Sequence, residues 1–194
     1  MEVPSTLVEL LEHVARETAR TSYPGSMSRG TKPVVHKGTK ATLEEYFATK
    51  FPLLEVWASA PQVAGAYENW HQSKTTEIST AIETHVSNHN NPMAVAAKFL
   101  NTFMHQLMKY EACRALWPAL HLPLDARVFA ALARLQSPSL SGVQPLFSQS
   151  PYSLPYVAHL DIQRALSNLL QELNVRPRAE FKFGSRIELN LLWV

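Results

Sequence analysis

The sequence predicts an all-α fold, a compact bundle of seven to eight helices in a single domain spanning residues 1–194. Three observations lead there. Apolar residues recur at helical spacing along most of the chain, helix-opening signals precede the periodic stretches, and only residues 179–183 hint at a strand. Apolar residues make up 46% and charged residues 18%, an ordinary globular balance that 194 residues can turn into one buried core.

Ser5 or Thr6 caps a first helix carrying Leu7, Val8, Leu10 and Leu11. Residues 21–40 hold Gly, Pro and Ser and form the longest predicted loop. Thr42 and Glu45 have capping-box spacing ahead of Leu43, Tyr46 and Phe47. Pro61 suits the first turn of a long helix reaching about Val86. The run Asn88-His89-Asn90-Asn91-Pro92 breaks that helix, and Pro92 opens the next, to about residue 109. A short helix follows Pro123, from about Asp125 to Leu135. Residues 137–155, with prolines at 138, 145, 151 and 155, form a second loop region with room for one helical turn. A helix over 156–174 and a last one ending in Leu191-Leu192-Trp193 complete the chain.

Composition narrows the function only coarsely. Eighteen basic against sixteen acidic groups give a net charge of +2, which neither demands nor excludes a nucleic-acid partner. The lone Cys113 cannot form an internal disulfide or a four-thiolate zinc or iron–sulfur site, and it suits a reducing compartment. No apolar run is long enough to span a bilayer and the first residues lack a signal peptide's pattern, so a cytoplasmic monomer is expected. None of the six glycines belongs to a phosphate-cradling loop. Of eight histidines, His85 and His89 form an i,i+4 pair but lack the His-Glu-x-x-His pattern, so they read as solvated or capping residues; neither metal nor cofactor is expected.

The segment from Ala94 to Leu135 is the most specific. Lys98, Asn101, Thr102, His105 and Lys109 form a polar stripe at helical spacing, opposite Val95, Phe99 or Leu100, Phe103 and Leu107. Such a stripe fits a solvated face or the lining of a cleft. Beyond it comes Pro123-Leu124-Asp125-Ala126-Arg127-Val128, opening an apolar helix. Asp125 there fits a helix N-cap.

This Pro-Leu-Asp-x-Arg-Val element resembles the Pro-Val-Asp-x-x-Val element of the helix-hairpin-helix DNA glycosylase superfamily, in which the Asp is the catalytic carboxylate. With the lysine-bearing helix upstream and the Leu-Leu-Trp ending, residues 92–194 look most like the archaeal 8-oxoguanine glycosylase branch. The resemblance implies a helix-hairpin-helix glycosylase-like bundle acting on double-stranded DNA, with Asp125 as the carboxylate and Lys98 as an amine nucleophile. Cleaving an N-glycosidic bond builds positive charge on the sugar, which a nearby carboxylate stabilises. The target base must leave the stack and be held between flat side chains, for which Phe103, Trp193 and Trp70 are candidates. Core packing is the more common role for such aromatics. His105, on the face of Lys98, would touch the base or a phosphate. Lys37, Lys40, Asn90, Asn91, Arg127 and Arg186 are the candidate DNA contacts, because Lys and Arg clusters neutralise phosphates.

The chain departs from that family in two ways. Asn88–Pro92 stands where a Gly-x-Gly hairpin is usual, and 27 positions separate Lys98 from Asp125. These departures, with the missing iron–sulfur cysteines, suggest a specialised role in place of housekeeping repair, such as attack on modified bases in phage DNA. The alternative is a non-catalytic helical module that binds nucleic acid or protein through its basic loops.

Overall fold

The computed structural model describes residues 13–14, 17–21, 23, 27, 33–50, 64–175, 184, 186 and 188–189. Among them the chain is all-α, the one extended pairing being an isolated antiparallel bridge between Val35 and Val86. They hold six α-helical stretches, residues 13–21 in part and five helices numbered here α1 to α5, with 3-10 and π turns between them. The predicted start of the first helix, the strand over 179–183 and the final Leu-Leu-Trp helix lie outside the described residues. Among the described residues, no helix is long and apolar enough to cross a membrane.

Helix α1 (Thr39–Glu45) begins earlier than the capping box at Thr42 predicts. Gly38, at φ 104°, makes the left-handed turn that starts it, and the Thr39 hydroxyl donates to His36 O at 2.7 Å. Thr42 therefore lies inside the helix, its hydroxyl turned back to Gly38 O. A wider π-turn over Tyr46–Lys50 follows. The latter part of the predicted 21–40 loop is tied to the end of the next helix. His36 N donates to His85 O at 2.8 Å and Ser87 N to Val34 O at 3.1 Å.

Helix α2 (Ala64–Ile82) ends in a 3-10 turn over Glu83–His85. It buries Tyr67, His71, Thr75, Ile78 and Ile82, one face at helical spacing. Helix α3 (Pro92–Leu107) lies beside it and is the central helix, buried nearly all round. Asn91 caps α3 by accepting from Met93 N at 2.9 Å, and Pro92 fills the first position, where no N–H is needed. Asn91→Ala is expected to cost about 1 kcal/mol in urea unfolding.

A long 3-10 segment (Glu111–Ala119) leads to an extended run, then to helix α4 (Ala126–Leu132). The 137–155 region is better ordered than a loop. It contains 3-10 turns over Pro138–Leu140 and Gln144–Ser148 and buries Leu140, Val143, Phe147 and Leu154. Helix α5 (Tyr156–Asn174) closes this part of the chain.

Two apolar clusters form the core. One gathers α1, α2 and α3 around Ile78, Leu100, Phe103 and Leu107; the other joins α4, the 137–155 region and α5 around Leu132, Leu140, Ile162 and Leu166. Phe103, a candidate base-stacking ring, belongs to the first cluster. It is fully buried and stacked on Phe47, with ring centroids 4.1 Å apart and planes within 6°. It cannot reach a base without opening the core. Phe103→Ala is expected to lower stability by about 3–5 kcal/mol, measured by chemical denaturation.

Candidate active site

Lys98 and Asp125, 27 positions apart, meet in the folded chain. Lys98 Nζ donates to Asp125 Oδ2 at 2.9 Å, and the two side chains are 11% and 32% exposed. That burial answers the question left by the polar stripe. Lys98, Thr102 and His105 are half-buried, so the stripe is not a fully solvated face. Asn101 leaves the stripe for the core, and Lys109 lies beyond the helix, exposed.

Asp125 is at once a cap and a partner. Its backbone is extended, and Oδ1 accepts from Arg127 N and Val128 N at 3.0 Å each, while Oδ2 takes Lys98. Burial works against ionisation, but the Lys98 charge and the three hydrogen bonds outweigh it and hold the carboxyl below its ordinary range. Two buried side chains anchor the extended run that delivers Asp125. The Gln163 amide bonds both Leu122 N (2.9 Å) and Leu122 O (2.8 Å). Arg186 donates to Ala119 O (2.6 Å), Leu120 O (3.1 Å) and Gln163 O (3.4 Å). Arg186 is thus a positioning residue 8% exposed, which removes it from the candidate DNA contacts.

Tyr152 completes the immediate surroundings. Burial and the Asp125 charge push its phenol up to about 12, and its carbonyl accepts from Asn91 N at 2.7 Å. It was not among the residues singled out from the sequence, because its segment reads as loop. His105 lies further along α3, its imidazole held below the usual range by burial and by the charges of Lys109 and Lys98. Its ring is 6.3 Å from that of Trp117. Trp117 donates to Glu188 Oε1 at 2.8 Å and, with Met108 and Arg114, lines an open cavity of about 410 Å³.

The other candidates divide. Arg127 is exposed, two positions beyond Asp125. Lys37 is exposed, and Lys40 is exposed beside Glu44 at 3.5 Å. Asn90 is turned towards Val34 O, and the Asn91 oxygen is committed to its cap. Trp70 packs against the first apolar cluster, 5.5 Å from the Tyr67 ring. Trp193 lies outside the described residues.

A second polar group lies at the seam of the two apolar clusters. His71 from α2, His121 from the extended run and His159 from α5 are all buried. His71 Nδ1 meets Tyr156 Oη at 2.6 Å, His71 Nε2 meets Asn101 Oδ1 at 2.8 Å, and His159 Nε2 meets His121 Nδ1 at 3.3 Å. Burial pushes His71 down to about 4, and burial with the charges of the other histidines and Arg186 lowers His121 and His159 far below their ordinary range. All three rings are therefore neutral at pH 7. The sequence signal was present but faint: His71 shares a helical face with Tyr67, Ile78 and Ile82, and His159 with Ile162 and Leu166. No family model matches the chain, and no curated protein or solved structure is significantly similar to it.

Proposed function

We propose that the protein is a DNA glycosylase that flips a damaged or modified base out of double-stranded DNA and cleaves its N-glycosidic bond. The supporting observation is the Lys98–Asp125 pair, an ionised carboxylate and an amine held 2.9 Å apart at a half-buried helix start. In this reading Asp125 stabilises the positive charge that develops on the sugar as the base departs. Lys98 orients that carboxylate, or attacks the anomeric carbon once it has lost its proton.

With Phe103 in the core, the flat surfaces available near the pair are Tyr152 and, past His105, Trp117 at the open cavity. The Arg114 guanidinium there offers donors to an acceptor-rich base. The α2–α3 unit takes the place of the superfamily's helix-hairpin-helix. In this reading the exposed Lys37 and Lys40, on the segment tied to the α2–α3 connection, grip phosphate, while Arg127 serves the strand near Asp125. Phosphate contacts of this kind make affinity fall steeply with salt. Removal of unusual bases from phage DNA is the role that best suits a chain lacking the housekeeping hairpin.

The test is direct. The protein is incubated with duplexes and genomic DNAs bearing different modified bases, and abasic sites are revealed by alkali. Base release on at least one substrate is expected. Tight DNA binding with no abasic site on any of them would establish a helical binding module in the enzyme's place.

A further inference from the structure

We propose that the buried histidine layer is a structural zinc site, with His71, His121 and His159 as imidazole ligands and Tyr156 as the fourth. The three rings each offer a nitrogen, and these nitrogens lie within 4.8 Å of one another. A tetrahedral ion about 2.1 Å from each nitrogen would hold the ring centroids roughly 5 Å apart. They stand 4.3 Å (His71–His121), 5.4 Å (His121–His159) and 5.6 Å (His71–His159) apart. Small rotations of the side chains suffice to close the set.

The hydrogen bonding points the same way. Asn101 Oδ1 accepts from His71 Nε2, which fixes the tautomer and leaves the Nδ1 lone pair as the donor atom. That lone pair now takes the proton of Tyr156. His121 and His159 share one contact at 3.3 Å, while His121 Nε2, 1% exposed as a residue, has no hydrogen-bond partner among the described residues. A buried imidazole nitrogen without a partner is costly when empty-handed and natural as a metal ligand.

Charge selects the ion. Among the described residues no carboxylate or thiolate lies in the layer, and the Arg186 guanidinium faces it, so a bare dication would be poorly tolerated. Coordination by Tyr156 relieves this. Zn²⁺ displaces the phenol proton to solvent, forming a zinc–oxygen bond and leaving a phenolate that cancels one of the two charges. The His71–Tyr156 contact then opens from 2.6 Å to roughly 3.3 Å around the ion. Three nitrogens and one phenolate form a borderline donor set suited to zinc and unsuited to Ca²⁺ or Mg²⁺. The ion would tie α2, the 121 region and α5 together, apart from Lys98 and Asp125, and this proposal stands whether or not the chain is a glycosylase.

The experiment uses the full chain produced in zinc-supplemented medium, dialysed against EDTA and assayed for metal by mass spectrometry. About one zinc per chain is expected, retained because the site is closed. Chain refolded with Co²⁺ is expected to show the intense visible bands of a tetrahedral ion. The double variant His85→Gln/His89→Gln, at one half-buried and one exposed histidine outside the layer, keeps both signals. Tyr156→Phe, which preserves the ring, folds and loses most of the metal. Metal-free wild-type protein that gives no cobalt bands after refolding would overturn the site, as would loss of the bound zinc in His85→Gln/His89→Gln.

Discussion

Acidification from pH 7 to about 4.5 is expected to destabilise the metal-free protein steeply. The sign follows from the three buried histidines. In the unfolded chain each titrates near 6.5, whereas in the folded chain His71 is pushed down to about 4 and His121 and His159 lie far below their ordinary range. Between those values the unfolded state binds protons that the folded state refuses, so stability falls as pH drops through 6.5 and keeps falling until the folded rings titrate. Each histidine contributes a slope of about 1.4 kcal/mol per pH unit, and the three together roughly 4. Two pH units then remove roughly 8 kcal/mol at most, a large share of the about 5–15 kcal/mol of total stability usual for a domain.

The groups facing the layer do not offset this slope. Arg186 and Arg164 add positive charge, and Tyr67, Tyr156, Asn101 and Gln163 are neutral. Asp125 acts with the opposite chemistry and in another window: its lowered carboxyl contributes stability above about pH 4 that is lost only below it. Urea unfolding at pH 7.5, 6.0 and 5.0 measures the effect. A midpoint unchanged between 7.5 and 5.0 would show that the rings are hydrated and already free to protonate.

The helices were legible because their signals are local. Pro92 after Asn91, Pro123 before Asp125 and Tyr156 after Pro155 mark starts that depend only on backbone chemistry, and α3, α4 and α5 begin at or beside them. Thr42 misled because its capping spacing competes with a stronger signal upstream, Gly38 at positive φ. The Lys98–Asp125 pair could be named from type and spacing, but its contact depends on Gln163 and Arg186 gripping the 119–122 backbone from far along the chain. Arg186 read as a DNA contact because a basic cluster in sequence carries no sign of burial; three backbone carbonyls solvate it inside. The histidine layer was the least legible feature, since its members come from positions 71, 121 and 159 and only the packing of α2 against α3 and α5 brings them together.

Asp125→Asn is expected to abolish base release while leaving the fold in place, and Lys98→Gln is expected to do less. Asparagine caps a helix as well as aspartate does, so its oxygen can still accept from Arg127 N and Val128 N and α4 keeps its start. What disappears is the ionised Oδ2 that faces Lys98. Removing one preorganised electrostatic stabiliser of a transition state typically costs roughly 10²–10³-fold in rate. The stability loss should stay within about 1–2 kcal/mol, because the pair is only partly shielded from water. Lys98→Gln retains the carboxylate and both capping bonds, so single-turnover excision should fall by less than in Asp125→Asn. The reverse order, joined with borohydride trapping of DNA on the wild-type protein but not on Lys98→Gln, would make the amine the nucleophile and the carboxylate its auxiliary. Equal activity in Asp125→Asn and wild type would reduce Asp125 to the helix cap that its geometry also makes it.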